Sequence, residues 1–330
     1  QGARRYRQQP CRRGGLTMRG RRPVTLWLWL GLALAVAGCS LPKPPAASQT
    51  GQSATIRPAQ RPAASSAQLQ SYYAQVQEQL LDQGLLRSDA GGPDAPFDDQ
   101  RLASTFLQIA LYNEYTRRGG QTLQLQSQAT LRRWEAPIRI ALRFGSSVPP
   151  AQKARDRDMI ASYVQRLSGL TGLPMTLETT NPNVLIAIVA EDERRALEPV
   201  LRQSMPALTA SDRRTILDLP KSTYCLAVTQ SEGDDSIYTS ALVVIRAEHP
   251  DLLRLSCIHE ELAQAMGLPN DSPQARPSIF NDDEEFALLT RQDELMLRML
   301  YNPALRPGMT LEQARPIAVR LAKQLMNGSP

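Results

Sequence analysis

The residues best suited to chemistry lie in one short stretch, residues 257–271, which reads CIHEELAQAMGLPND. Two His four positions apart share one face of a helix, where they bind a zinc ion while a Glu next to the first His activates water. His259 and Glu260 begin this arrangement, but Ala263 stands where the second His is needed and has no donor atom. The direct pattern therefore predicts no zinc site, and His259 is expected to lie off the ligand face as a partly buried or surface residue.

Shifted by one residue, the same stretch resembles the longer HExxHxxGxxH pattern of the metzincin metalloproteases. In this register Glu261 takes the place of the catalytic general base, and Gly267 that of the glycine at which the chain turns after the helix. The positions of the three zinc ligands hold Glu260, Gln264 and Asn270. None of the three is His, so the resemblance implies former metal-ligand positions. No metal and no other cofactor is expected, with zinc as the alternative.

The resemblance extends over about residues 130–301. Residues 278–280 (Ser-Ile-Phe) are similar to the metzincin Met-turn with Phe in place of Met, and residues 289–301 to the start of the final helix. Residues 133–144 resemble the first metzincin strand, and residues 224–229 stand where the substrate-binding edge strand would lie. The chain also resembles an uncharacterised family of proteobacterial lipoproteins related to metzincins.

The fold implied by this resemblance is α+β, a metzincin-like zincin domain over residues 130–326 with a helical extension over residues 68–120. The alternative is an unrelated α+β domain with an acidic helix face. Apolar residues at helical spacing predict two helices in the extension, packed as a hairpin. Strands are expected at 137–144, 174–178, 184–189, 224–229 and 240–247. Helices are expected at 151–170, at 252–266 (the motif helix) and after a capping box of Thr310 and Gln313, with a partly helical insert at 191–219.

The residues at the ligand positions argue against zinc chemistry. Zinc prefers imidazole, thiolate and carboxylate, and the amide oxygens of Gln264 and Asn270 are poor substitutes. Such a set suits only a hard ion such as calcium, and binds it weakly. Without a strong Lewis acid, water beside Glu261 keeps a pKa too high for attack at neutral pH.

We therefore expect a domain without catalysis, with a binding or structural role in the cell envelope. One route to binding is the addition of a strand from a partner at the edge of the sheet. The alternative is an envelope metallopeptidase-like hydrolase that uses Glu261 with atypical metal ligation.

Cysteine usage adds one covalent link. Of the four Cys residues, Cys11 lies in the leader and Cys39 directly follows it, which leaves Cys225 and Cys257. In an oxidising compartment this pair is expected to form a disulfide that closes a loop of about 30 residues and stabilises the fold by roughly 3–4 kcal/mol. Two unpaired buried thiols are the alternative.

The leader predicts export. The first 39 residues hold eight Arg and no acidic residue, and residues 24–37 are almost wholly apolar. This run is shorter than the about 20 residues of a membrane span, and its pattern is that of a signal peptide over residues 1–38. The natural start is expected at Met18, with residues 1–17 upstream of it.

The end of the leader, residues 36–39 (Val-Ala-Gly-Cys), resembles the bacterial lipobox. The resemblance implies cleavage before Cys39 and a lipid, including palmitate, on that residue. An ordinary signal peptide with an incidental Cys is the alternative. Ser40 is similar to the residue found in lipoproteins sorted to the outer membrane, so the domain is expected on its periplasmic side.

Residues 39–67 are rich in Pro, Ala, Ser and Gln, which is typical of a flexible tether. The net charge of +6 belongs to the leader, because the chain without its eight Arg carries 30 basic and 32 acidic residues, about −2. This balance indicates no nucleic-acid partner. The expected partners are the membrane, through the lipid anchor, and an unknown envelope protein or peptide.

Overall fold

Helices and strands alternate along the computed structural model, which describes residues 65–118, 121–231 and 236–328. The predicted signal peptide, the predicted lipobox with Cys39 and the predicted tether up to residue 64 lie outside the described residues. In the described part, no helix combines the length and apolar character needed to cross a bilayer. The described chain is a mixed α+β fold, as the sequence predicts.

The helices lie before, between and after the strands. Within the described residues they are α1 (Ser66–Asp82), α2 (Asp99–Ala110), α3 (Pro150–Thr171), α4 (Glu191–Arg194), α5 (Glu198–Ser204), α6 (Ala210–Leu217), α7 (Asp251–Ala265), α8 (Arg291–Leu300) and α9 (Leu311–Met326), with a 3₁₀ turn at Arg195–Leu197.

The strands form a two-stranded and a five-stranded sheet. They are β1 (Tyr112–Arg118), β2 (Gln121–Gln128), β3 (Ile138–Phe144), β4 (Met175–Leu177), β5 (Val184–Val189), β6 (Cys225–Ser231) and β7 (Tyr238–Arg246). The larger sheet has the order β4-β3-β5-β7-β6, in which β6 runs antiparallel to β7 and the other neighbouring pairs are parallel. β6 is therefore an edge strand, and no other described strand pairs with its outer side.

The five-stranded sheet is buried on both faces, which explains why β5 reads VLIAIV without polar alternation. One set of alternate residues on β5 packs into the main core with α2, α3, α7, α8 and α9: Val184, Ile186 and Ile188. The other set packs against α5 and α6: Leu185, Ala187 and Val189. The insert at residues 191–219 thus covers one face of the sheet.

The N-terminal extension differs from the sequence prediction. Residues 112–118 form a strand where helix was expected, and β1 pairs with β2 in an antiparallel hairpin. The two helices also lie in different clusters. α2 packs in the main core, whereas α1 packs through Leu69 and Tyr73 in a separate cluster with Leu253.

The predicted elements of the main domain agree with the structure within a few residues. β5 has the predicted bounds, and the motif helix is α7. Thr310 caps α9 by accepting a hydrogen bond from the backbone N–H of Gln313, whose side chain accepts one from Thr310 N. These elements were predictable because their apolar residues follow a regular pattern, helical in α7 and α9 and continuous in β5.

Candidate functional site

Helix α7 lies against the edge strand β6, and a disulfide joins the two elements. Cys225 of β6 and Cys257 of α7 have an S–S distance of 2.01 Å and a Cα–Cα distance of 5.9 Å. The predicted disulfide is therefore confirmed by the structure. It fixes the separation between β6 and α7 at Cys257, shortly before the predicted site residues Glu260 and Glu261.

A cleft of about 490 Å³ lies between β6, α7 and the chain that follows α7. This volume falls in the range of pockets that bind small ligands. Polar and acidic residues dominate its lining, which consists of Ser222, Thr223, Tyr224, Cys225, Leu226, Ala227, Thr229, Leu253, Ser256, Cys257, Glu260, Glu261, Gln264, Pro269, Asp271, Asn281, Asp282 and Glu284.

Three of the four residues at the predicted motif positions line this cleft. Glu261, at the position of the general base, is only 5% exposed. Glu260 and Gln264, one helical turn apart, line the cleft with it. Asn270 is 1% exposed and lies outside the lining, where its Nδ2 donates a hydrogen bond of 2.9 Å to the carbonyl oxygen of Gln108. The structure therefore does not bring together the three positions that the resemblance predicts as former metal ligands.

Asp271 takes the place in the cleft that the sequence analysis gave to Asn270. The Nε2 of Gln264 donates a hydrogen bond of 3.1 Å to Oδ1 of Asp271. Gln264 is thus held by a carboxylate that lines the same cleft. The sequence analysis missed this role of Asp271.

The cleft brings together one group of potential metal donors. The Sγ of Cys225 and carboxylate oxygens of Glu260 and Glu261 lie within 4.8 Å of one another. Metal ligation by cysteine requires the thiolate, and Cys225 is bonded to Cys257. The disulfide form therefore offers two carboxylates at this point and no imidazole in the cleft lining.

His259 points away from the cleft and is part of the core. Its ring stacks on Tyr163 with a centroid distance of 4.0 Å, and its Nδ1 accepts a hydrogen bond of 3.1 Å from Leu289 N. Burial, with a smaller contribution from Arg166, lowers the pKa of His259 to about 3. The neutral ring therefore has a structural role, off the cleft side of α7 as the motif register predicts.

Gly267 sets the turn after α7. Its φ of +118° is in the region that glycine adopts most easily, and a Cβ there would lie 2.2 Å from the carbonyl oxygen of Arg132.

The backbone carbonyl oxygens of Ala265 and Met266, at the end of α7, accept hydrogen bonds from two side chains. Trp134 Nε1 donates to Ala265 at 2.9 Å, and the Tyr301 hydroxyl donates to Met266 at 2.8 Å.

The segment that resembles the Met-turn is held by the buried carboxylate of Asp293. Asp293 accepts hydrogen bonds from the Ser278 hydroxyl at 2.6 Å and from Ile279 N at 3.0 Å. Phe280 is fully buried, and Asn281 and Asp282, which follow it, line the cleft. Burial raises the pKa of Asp293 to about 6, although these hydrogen bonds act in the opposite direction. The carboxylate thus fixes the loop that leads into the cleft wall.

Glu284 is a further cleft residue that the sequence analysis missed. It is partly buried, has a φ of +55°, and its backbone carbonyl accepts a hydrogen bond of 2.9 Å from Leu86 N. Burial and the neighbouring Asp282 raise the pKa of Glu284 to about 7. The run of four acidic residues at 282–285 was the signal in the sequence that could have indicated this wall.

The fold and site define an α+β protein with an acidic cleft between an antiparallel edge strand and a disulfide-linked helix. Residues 99–320 match the family described as "Protein of unknown function (DUF2927)", and the chain belongs to this family. The matched region begins at α2, so it includes the whole cleft and excludes α1. No curated protein and no solved structure matches the chain.

Proposed function

We propose that this protein is a cell-envelope lipoprotein whose metzincin-like domain binds an extended protein segment without catalysis. The segment would add to the outer edge of β6 and lie in the cleft above α7. The lipid on Cys39 and the tether of residues 39–67 would hold the domain near a membrane, on the periplasmic side of the outer membrane.

The single observation that carries this proposal is the outer side of β6 beside the cleft, with which no described strand pairs. An edge strand presents backbone N–H and C=O groups that can pair with an added strand. Residues of β6 also line the cleft, so the side chains of an added strand would enter it. The order of strands, with one antiparallel strand at the edge beside the motif helix, supports the metzincin-like interpretation.

The side chains at the former ligand positions support the absence of catalysis. Gln264 is hydrogen-bonded to Asp271, and Asn270 to the backbone of Gln108 on α2. Amide groups bind zinc poorly, and these two are held in separate contacts. Glu261 then has no zinc-bound water to activate.

A hydrolase is the second candidate, and one observation favours it. Glu260 and Glu261 bring carboxylate oxygens to the same part of the cleft as Cys225. Two carboxylates could hold a metal ion of atypical ligation next to an extended substrate. The test must therefore measure metal content and peptide cleavage together.

The experiment uses the full chain with its leader, extracted from bacterial membranes, incubated with excess zinc and then desalted. We expect much less than one zinc per chain and no cleavage of unfolded protein substrates. Mass spectrometry of the same sample is expected to show a chain that begins at a lipid-modified Cys39.

One zinc per chain that is lost in Gln264→Ala, together with cleavage lost in Glu261→Gln, would overturn the proposal in favour of the hydrolase. Asp158→Asn, an exposed site on α3 away from the cleft, is the matched control. A chain that keeps its leader and carries no lipid would remove the proposed anchor and leave the binding role to be tested separately.

A further inference from the structure

We propose that the cleft selects extended segments with cationic side chains, Lys or Arg, at the alternate positions that face α7. This inference rests on the proposed function, because it names the chemistry of the segment that β6 would bind. It assigns the specificity to the acidic wall opposite the edge strand.

The charge of the lining is of one sign. Among the described residues, no Lys, Arg or His lines the cleft, whereas five carboxylates do: Glu260, Glu261, Asp271, Asp282 and Glu284. Carboxylates on low-dielectric walls produce a potential that attracts cations and repels anions. Electrostatic complementarity of this kind determines which partner binds and how fast it associates.

Basic residues in nearby segments are engaged elsewhere. Arg87 and Arg276 both pair with Glu285, at 3.3 Å and 2.7 Å, and neither Arg lines the cleft. Arg254 lies on α7 but is buried against Asp156, with an Nε–Oδ1 distance of 2.9 Å. These guanidinium groups are therefore not positioned to serve as the cations of the cleft.

Glu284 is the second observation that points to an incoming cation. Its partly buried side chain makes no hydrogen bond or ion pair with another described residue, although it lines the cleft. Its pKa is raised to about 7 by burial and by Asp282, and an adjacent cation would lower that pKa again. A bound Lys or Arg would thus supply the positive charge that this carboxylate lacks.

The spacing of residues along α7 fits an added strand that carries cationic side chains at alternate positions. Alternate residues of a strand point to the same side and lie about 7 Å apart. Glu260 and Gln264 lie four residues apart on α7, so their Cβ atoms are about 5–6 Å apart on one helix face. An added strand can therefore direct one cation to Glu260 and the next toward the Gln264–Asp271 pair.

The test uses three decapeptides of equal length, (Lys-Thr)₅, (Gln-Thr)₅ and (Glu-Thr)₅, added to the full chain in detergent. Thr favours extended backbone in all three. Binding is measured by calorimetry, and amide hydrogen exchange reports protection of Cys225–Ser231. We expect the Lys peptide to protect β6, to bind about tenfold more tightly than the Gln peptide, and to weaken as salt is raised.

Two variants locate the charge. Glu284→Gln combined with Asp282→Asn is expected to weaken the Lys peptide about tenfold and to leave the Gln peptide unchanged. Asp158→Asn removes an exposed acid on α3 and is expected to change neither affinity. Near-ultraviolet circular dichroism of each variant checks that the fold is retained.

The outcomes separate the two proposals. Protection of β6 by the Gln or Glu peptide as strong as that by the Lys peptide overturns the charge selection and leaves strand addition intact. No protection of β6 by any of the three peptides overturns strand addition and this inference with it. Salt-sensitive binding of the Lys peptide without protection of β6 also overturns strand addition.

Discussion

Gly267 is the residue of the site with the least freedom to change. Its positive φ and the carbonyl oxygen of Arg132, which would lie 2.2 Å from a Cβ, leave no space for a side chain. Pro269 and Asp271, which follow this turn, line the cleft. The position of that carboxylate therefore depends on a residue without a functional group.

Gly267→Ala is expected to lower the free energy of unfolding by about 3 kcal/mol or more, because backbone atoms must move to accept the Cβ. Gly169→Ala is the matched control, since its Cβ would meet nothing within 4 Å on an exposed face of α3. The control is expected to be neutral or stabilising by up to about 1 kcal/mol. Urea denaturation of both variants measures the difference, and equal losses in the two would contradict the argument.

At the scale of single residues, the sequence predicted which face of α7 lines the cleft. It did not predict the contacts of each side chain after the helix. Glu260, Glu261 and Gln264 were identified from the resemblance to the metzincin pattern, whose helical spacing fixes side-chain direction within one element. Asn270 and Asp271 follow a turn, after which Asn270 contacts α2 and Asp271 lines the cleft. That choice depends on the position of Gln108, which the local sequence does not determine.

The disulfide acts at the scale of elements, because it joins the edge strand to the motif helix. An edge strand has a partner on one side only, so it is held less firmly than a central strand. The link between Cys225 and Cys257 limits how far β6 can separate from α7, and with it the width of the cleft. The shape of the binding surface is thus covalently maintained.

The double variant Cys225→Ser with Cys257→Ser is expected to lose about 3–4 kcal/mol of unfolding free energy, from the loop of the bridge and the chain-entropy relation. Amide exchange in β6 should rise more than in β5, which lies at the centre of the sheet. Chemical denaturation and hydrogen exchange measure the two effects. A uniform rise in exchange across both strands would show that the bridge does not hold the edge locally.

Elements with strong periodicity were predicted, and elements without it were not. β5 and α7 bury regular apolar patterns, so their bounds could be predicted from sequence alone. Residues 112–118 and 121–128 are mainly polar, so they offer few apolar residues from which their structure could have been predicted. Their strand structure depends on pairing between β1 and β2, which is a tertiary property.

The whole molecule contains buried groups that titrate in opposite directions. Burial, followed by Arg246 and Arg254, lowers the pKa of His249 to about 3. Burial raises the pKa of Asp293 to about 6 and that of Glu284 to about 7. His249 gains a proton below about pH 6.5 in the unfolded chain, but only near pH 3 in the folded chain. The free energy of unfolding therefore falls as the pH drops from 6.5 toward 3. The two carboxyl groups act in the opposite sense. They lower the free energy of unfolding as the pH rises from about 4 to 7, because the unfolded chain loses these protons first.

His249→Phe is expected to reduce the loss of unfolding free energy between pH 6.5 and pH 4, because each His that must gain a proton contributes up to about 1.4 kcal/mol per pH unit. Phe keeps an aromatic ring beside Tyr73 and Tyr224, which contact the imidazole edge to face. Denaturation at a series of pH values gives the slope of the unfolding free energy against pH for the variant and for the natural chain. The same slope in the variant and the natural chain would show that His249 is not the titrating group.

The hydrogen bonds at the end of α7 have a consequence for the order in which the protein can fold. Ala265 and Met266 receive their donors from Trp134 and Tyr301, one far before them in the chain and the other 35 residues after Met266. A growing chain that has just completed the motif helix still lacks the second donor. The helix end becomes complete only when residue 301 has been added, so an N-terminal product that stops before Tyr301 lacks one of the two side chains that hold this end of the cleft.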